Sequence, residues 1–200
     1  LEQARSIMTP EQYEQEFECS FTAAVSGSYY GRLITKADKD GRIGYVPVDD
    51  NAGVETWWDL GIGDSTAIWF AQRIGEEVHL IDYYENSGES LAHYVDVLTE
   101  KDYAYSCHIA PHDIQARDLG TGKSRLEVAA ELGLDFQVAP KLEVDHGIES
   151  VRNALKQCWF DREKCKQGLD ALRQYRKQWD EKNQVFKNKP APIQISWLGY

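Results

Sequence analysis

Two stretches carry the residues best suited to chemistry. "VETWWDLGIGDSTAIWFAQ", residues 54–72, sets Asp59 in an apolar run and Asp64 just after it, while "AYSCHIAPHDI", residues 104–114, ends another apolar run on Asp113. A buried, unpaired carboxylate costs several kcal/mol or takes up a proton, so Asp59 and Asp64 must face water, a partner or a metal. If the strands bearing Asp59 and Asp113 are neighbours, the two carboxylates converge at one edge of a sheet. That layout suits two-metal phosphodiester hydrolysis, with ions about 3.5 to 4 Å apart. Carboxylate oxygens favour hard divalent cations such as Mg2+ or Mn2+. Each residue also has a plainer reading. Asp64 could bond the Ser65 and Thr66 amides as a turn residue, Asp113 could cap a helix or turn, and His112 reads as a structural or substrate-facing neighbour rather than a ligand.

Two further stretches imitate phosphate loops. "LGTGKSR", residues 119–125, has the end of a P-loop, but Arg117 stands where the rule requires glycine. It reads better as a turn delivering Ser124 as a helix cap, with Arg117 and Lys123 in reach of a DNA phosphate backbone. "DLGIGDST" is similar to the first phosphate loop of the actin and sugar-kinase superfamily, which would make the chain an ATP-dependent phosphotransferase. Those kinases close two such domains on ATP, whereas this stretch occurs once in 200 residues.

The elements that must position these side chains follow from periodicity. At 200 residues, with 42% hydrophobic content, six Trp and eleven Tyr, the chain is expected to form one domain with a substantial core. Apolar runs over 54–60, 66–73 and 77–84, joined by short turns, predict an antiparallel meander. Leu91, Tyr94, Val95 and Leu98 then fall at helical spacing. The strand ending at Pro111 follows, then a helix opened by a Ser124 and Glu127 capping box and stopped at Gly133, and a strand in "DFQVAPKL". The order β-β-β-α-β-α-β predicts a mixed α/β sheet of five strands whose later members run parallel through helical crossovers. The final third reads as helical. One stripe joins Ile148, Val151, Leu155 and Trp159, and a second joins Cys165, Leu169, Leu172, Tyr175 and Trp179. Residues 1–50 read as a connecting region, with a short helix capped by Thr9 and Gln12 and a small hairpin around "GRIGYVPV".

Charge and composition narrow the function classes. A net charge of −11 argues against a broad basic surface for nucleic acid, yet leaves room for an enzyme that reaches DNA through divalent cations. Cys19, Cys107, Cys158 and Cys165 form no C-x-x-C pair, which favours free, mostly buried thiols over a zinc site. No apolar run approaches the roughly 20 residues of a membrane helix, and the start at Leu1 lacks a secretory layout. A soluble, intracellular chain without membrane contact is expected, either a fragment of something longer or a processed form.

The motifs "TWWDLGIGDSTAIWF", "IDYYENSG", "HIAPHDI", "RDLGTGKSRLEVAAELG", "GIESVRNALKQCWFD" and "ALRQYRKQWDEK" together resemble the C-terminal nuclease domain of tailed-bacteriophage terminase large subunits, from about Tyr13 to Pro190. The resemblance implies a ribonuclease H-like sheet flanked by helices, spanning 51–200, with 1–50 as the linker from a preceding ATP-driven motor domain. It implies an endonuclease that cuts concatemeric viral DNA during genome packaging in the cytoplasm of a bacterial host, using Mg2+ or Mn2+. Its partners would be double-stranded DNA, the motor domain, the small terminase subunit and the portal assembly. Asp59 matches the family's first-strand carboxylate and Asp113 the one after the "PHD" strand.

One departure matters. The family's third carboxylate near the C-terminus is replaced here by "KNKPAPIQISWLGY", and no Asp or Glu follows Glu181. Ile193, Ile195 and Trp197 alternate there as in a half-buried strand. Asp64 and Asp145 are the substitutes the sequence offers. A second metal ion is therefore expected to bind weakly, which opens an alternative: a remnant of low activity that serves as a docking module in the packaging assembly.

Overall fold

The computed structural model describes residues 27–61, 65–180 and 185–190. In chain order these form α1 (Gly31–Lys39), β1 (Ile43–Gly44), β2 (Val54–Asp59), β3 (Ser65–Ile74), β4 (Glu77–Ser87), α2 (Leu91–Lys101) and β5 (Tyr105–Ala110). A 3-10 turn (His112–Gln115) follows, then α3 (Arg125–Glu131), β6 (Phe136–Val138), α4 (Val144–Ala154), β7 (Cys158–Asp161), α5 (Lys166–Gln174), β8 (Lys177–Asp180) and β9 (Val185–Pro190). Seven strands make one sheet in the order β1-β7-β4-β3-β2-β5-β6, while β8 and β9 form a separate antiparallel pair. Only β3 runs against the others in the large sheet.

The meander is as expected: short turns between β2, β3 and β4 leave them no choice but antiparallel pairing. The crossover through α2 returns the chain to the far side of β2, where β5 pairs parallel. Both faces of the sheet are covered. On one, Trp57, Trp69, Leu80 and Phe160 pack against Ile34 of α1, Ile148 and Val151 of α4, and Leu169 and Leu172 of α5. On the other, Trp58, Ile68, Phe70 and Ile81 meet Tyr94 and Leu98 of α2 and Ala129 of α3. Burial on both faces explains why the strands read as continuous apolar runs rather than as alternating ones.

The sheet has two strands more than expected, and both come from segments read otherwise. "CWFD" is β7, not the end of a helix: α4 stops at Ala154, a turn carries Leu155 to Gln157, and the strand then inserts between β1 and β4. Likewise α5 ends at Gln174, and Trp179 belongs to β8. Within "GRIGYVPV" only Ile43 and Gly44 form a strand, which pairs parallel with β7 rather than in a local hairpin. The described part of the first fifty residues therefore belongs to the core, since Tyr30 and Ile34 are buried beneath the sheet. The expected helix capped by Thr9 and Gln12 and the alternation of Ile193, Ile195 and Trp197 lie outside the described residues.

Close approach of α5 to the sheet depends on Gly168. A methyl group there would stand 2.3 Å from the Trp69 indole and 2.8 Å from the Tyr83 ring. Trp69 is 1% exposed and wedged edge-on against Tyr83 and Phe160, so it has no room to yield. Overpacking a dense core of this kind costs about 1 to 3 kcal/mol. Gly168→Ala is expected to lower the urea midpoint by an amount corresponding to that loss, with the slope of the transition unchanged.

Candidate active site

Asp59 closes β2, the strand whose Trp57 and Trp58 reach into opposite cores. It is only 8% exposed. Trp57 is in register with Ile109 of β5, so Asp59 lies two residues beyond that rung and Asp113 four residues beyond it, in the 3-10 turn past the end of β5. The chain turns sharply between: Pro111 and Ile114 are buried, the Ile114 N–H donates to the Pro111 carbonyl at 3.1 Å, and His112 and Asp113 are left exposed. Both acidic residues thus sit at the C-terminal edge of adjacent parallel strands, one sheltered and one facing solvent.

A hydroxyl relay fastens these two strands together. The Trp58 indole N–H donates to Thr56 Oγ1 at 2.7 Å, and Thr56 Oγ1 lies 2.6 Å from His108 Nδ1 across the β2–β5 pair. The Thr56 hydroxyl keeps a proton and a second lone pair for His108, so it donates when Nδ1 is bare and accepts when Nδ1 carries the proton. Burial pushes the His108 pKa below its ordinary value, while Asp135 pulls it back up.

A carboxylate that sequence reasoning passed over also faces this edge. Asp59 pairs with Ala67 across β2 and β3, and Ala67 pairs with Glu85 across β3 and β4, which puts Asp59 and Glu85 in one row of the sheet. Glu85 accepts from Ser65 Oγ at 2.5 Å, Tyr83 OH at 2.6 Å and Gln167 Nε2 at 3.2 Å. Burial raises the Tyr83 pKa, and its hydrogen bond to Glu85, then the charges of Glu85 and Asp59, raise it further. Tyr175 is pushed up to about 12, by burial first, then by Tyr29 and by Asp59. The Asp59 charge therefore acts on the face covered by α1 and α5. Alternation in "IDYYENSG" puts Tyr83 and Glu85 on one face; only the register reveals that Asp59 shares the row.

The remaining expected site residues fall out variously. Asp64 lies outside the described residues. Arg117 and Lys123 occupy the loop after the 3-10 turn, but each already meets a carboxylate: Arg117 with Glu127 at 3.1 Å and Lys123 with Glu131 at 2.5 Å. Between them Asp118 accepts from the Gly120 and Thr121 amides at 2.9 and 2.8 Å, so donors that a phosphate loop would offer are taken internally. Ser124 and Glu127 do form the capping box. Asp145 lies in the first turn of α4. Cys158 and Cys165 are buried free thiols, and Cys107 is half-buried.

Carboxylate oxygens at this edge match what a hard divalent cation requires. Among the described residues, however, no set of three His, Cys, Asp or Glu side chains gathers closely enough to hold a metal ion.

The order of strands and the placement of α2 between β4 and β5 define a ribonuclease H-like fold. The arrangement is similar to that of solved large-terminase nuclease domains. The P22 large terminase nuclease domain superposes with a TM-score of 0.54 at 16% identity, over 74% of this chain and 80% of that one. The large terminase nuclease of thermophilic phage G20c with bound magnesium gives 0.52 at 16% identity, over 80% and 87%. The g2p nuclease domain of bacteriophage SPP1 with bound Mn gives 0.52 at 15% identity, over 70% and 77%. Against the longer large terminase of another thermophilic bacteriophage, in complex with ATP-gamma-S, the TM-score is 0.61 at 18% identity, and this chain spans 41% of that one. No family profile and no curated protein matches the sequence. No helix of the described residues is long and apolar enough to cross a membrane.

The relay at His108 has a measurable consequence. Its folded pKa lies below the unfolded value of 6.5, so the unfolded chain takes up the proton first as pH falls. Its contribution is complete above pH 6.5 and is lost as pH drops below that value toward the folded pKa. His108→Gln, which removes the titration, is expected to flatten the decline in stability below pH 6.5 in urea unfolding measured across pH.

Proposed function

We propose that this chain is the nuclease part of a phage large terminase, a divalent-metal-dependent endonuclease acting on double-stranded DNA during genome packaging. The observation that carries this reading is the placement of Asp59 and Asp113 at the ends of adjacent parallel strands in a fold otherwise seen in terminase nucleases, two of them solved with Mn or magnesium bound. In this reading Asp59 and Asp113 hold the cation, with Asp64 as a further ligand. Bound Mg2+ or Mn2+ would supply the Lewis acidity for attack of water on the phosphodiester. Asp59, sheltered by Tyr83 and Tyr175, keeps its geometry fixed, while exposed Asp113 meets the substrate side. Arg117 and Lys123 would contact the DNA backbone by exchanging their carboxylate partners for phosphates. A motor domain, a small terminase subunit and a portal complete the packaging assembly, and the setting is the cytoplasm of a bacterial host.

A second reading has its own support. Because no three metal-ligating side chains gather among the described residues, cation binding would be too weak for turnover in this reading, leaving a docking module. Calorimetric titration with Mn2+ separates the two, since the docking module shows no saturable site. For the endonuclease reading, supercoiled plasmid should be cut with Mn2+ or Mg2+ and protected by EDTA. Asp59→Asn and Asp113→Asn are each expected to slow cutting by about 100-fold or more. Variants that cut as fast as the parent would show that the site has been assigned wrongly.

A further inference from the structure

A groove of about 630 Å³ opens between the turn at Gly27–Tyr29, the first turn of α1, the C-terminal part of α4 and the β8–β9 pair. Among the described residues, Arg32, Arg152, Lys156 and Lys177 line it together with one carboxylate, Glu149, and the charge of Asp145 also reaches Tyr29 in its wall. In a chain of net charge −11, such a concentration of cations needs a reason. Arg152 is held in place: it bonds Glu149 at 3.1 Å, donates to the Tyr29 carbonyl at 3.3 Å and lies 5.8 Å above the Tyr29 ring. Arg32 and Lys156 are exposed and form no ion pair among the described residues; Lys156 donates only to Asn153 Oδ1, at 2.8 Å. They differ in this from Arg117 and Lys123, whose charges are already matched.

The groove also has a physical link to the proposed site. The Tyr29 ring in its wall packs on Tyr175 at 5.2 Å, Tyr175 stacks on Tyr30 at 5.3 Å, and the Tyr175 hydroxyl feels the Asp59 charge. Exposed cations spread over α1 and the turn after α4 do not enclose a small anion, which requires buried, converging donors. They suit an extended polyanion, whose phosphates recur along a line and accept guanidinium forks.

We propose that this groove is a second contact site for the DNA backbone, in which Arg32 and Lys156 take phosphates flanking the linkage presented to Asp59 and Asp113, while Arg152 braces the wall. The proposal rests on the endonuclease reading for the identity of the polyanion, but it concerns binding and needs no cleavage. Neutralising each phosphate steepens the salt dependence of duplex binding by about 0.9 in the log–log slope.

The test is fluorescence anisotropy with the full chain and a labelled DNA duplex in EDTA, over a series of salt concentrations. Arg32→Ala/Lys156→Ala is expected to weaken binding by about tenfold and to reduce the slope by about 2. Lys36→Ala/Lys39→Ala, which removes the same charge from the other end of α1, should leave both unchanged. Circular dichroism confirms that each variant is folded. Equal affinity and slope for the groove variant and its parent would overturn the proposal, as would a parent that binds no duplex at all. If the groove variant loses affinity while the parent binds but never cuts, the endonuclease reading fails and the groove assignment stands.

Discussion

Parallel pairing of β2 with β5 is the constraint on which the rest of the structure hangs. These strands are separated by a meander and a helix, yet Val54 to Trp57 run alongside Tyr105 to Ile109, and their C-terminal ends emerge together. Loop closure over such a distance is entropically costly and is offset only where burial follows at once. Trp58 supplies it on one face, against Tyr94 and Phe136, and Trp57 on the other. The bond from Thr56 to His108 then fixes the rung. Because a slip of one residue would swap the two tryptophans between cores, register is strongly specified. Asp59 and Asp113 inherit their common edge from apolar packing and need no attraction of their own.

That edge is built to hold negative charge in a sheltered place. Asp59 stands in a row with Glu85, and the hydroxyls of Tyr83 and Tyr175 lie close enough to feel it. Two carboxylates facing the same strip of a largely buried sheet repel one another unless donors or cations intervene. For Glu85 the donors are present, from Ser65, Tyr83 and Gln167. By contrast Asp161, another buried carboxylate, is wholly occupied by backbone amides of Val46, Glu163 and Lys164 and serves the turn before α5. Burial alone therefore does not mark a functional acid; position at the end of a strand beside a second acidic strand end separates Asp59 from Asp161.

The meander, α2, β5 and the capping box of α3 were legible in the sequence because their cues are local: short turns, helical spacing, and Ser124 three residues before Glu127. β7 was not. Trp159 lies four residues after Leu155 and continues the helical stripe on paper, but in the folded chain Cys158 to Phe160 find hydrogen-bonding partners on both sides, in β1 and β4. Those partners lie far back in sequence, and no periodicity reports them. β1 itself is two residues long and exists only because β7 is beside it. Glu85 was missed for the same reason: its face follows from alternation, but its row does not. The two carboxylates singled out from sequence sit on the ends of strands that the β-β-β-α-β order of a ribonuclease H-like sheet makes neighbours, so their shared edge could be inferred.

The cations invert this lesson. "GTGKS" looks like a phosphate loop on spacing, and Arg117 and Lys123 look like DNA contacts on charge. In the folded chain the loop amides of Gly120 and Thr121 close on Asp118, and both cations close on carboxylates of α3. A cation already paired must give up its partner before it can take a phosphate, so little of its attraction remains as net affinity. Arg32 and Lys156 carry no motif and lie more than a hundred residues apart, yet they face one groove without an ionic partner among the described residues. Binding capacity is set by the charge left unmatched once local pairs have formed, a quantity that depends on three-dimensional neighbours. That is why the most motif-like stretch of this chain presents its cations already matched, and why an unremarkable pair of basic residues is the stronger candidate for holding a polyanion.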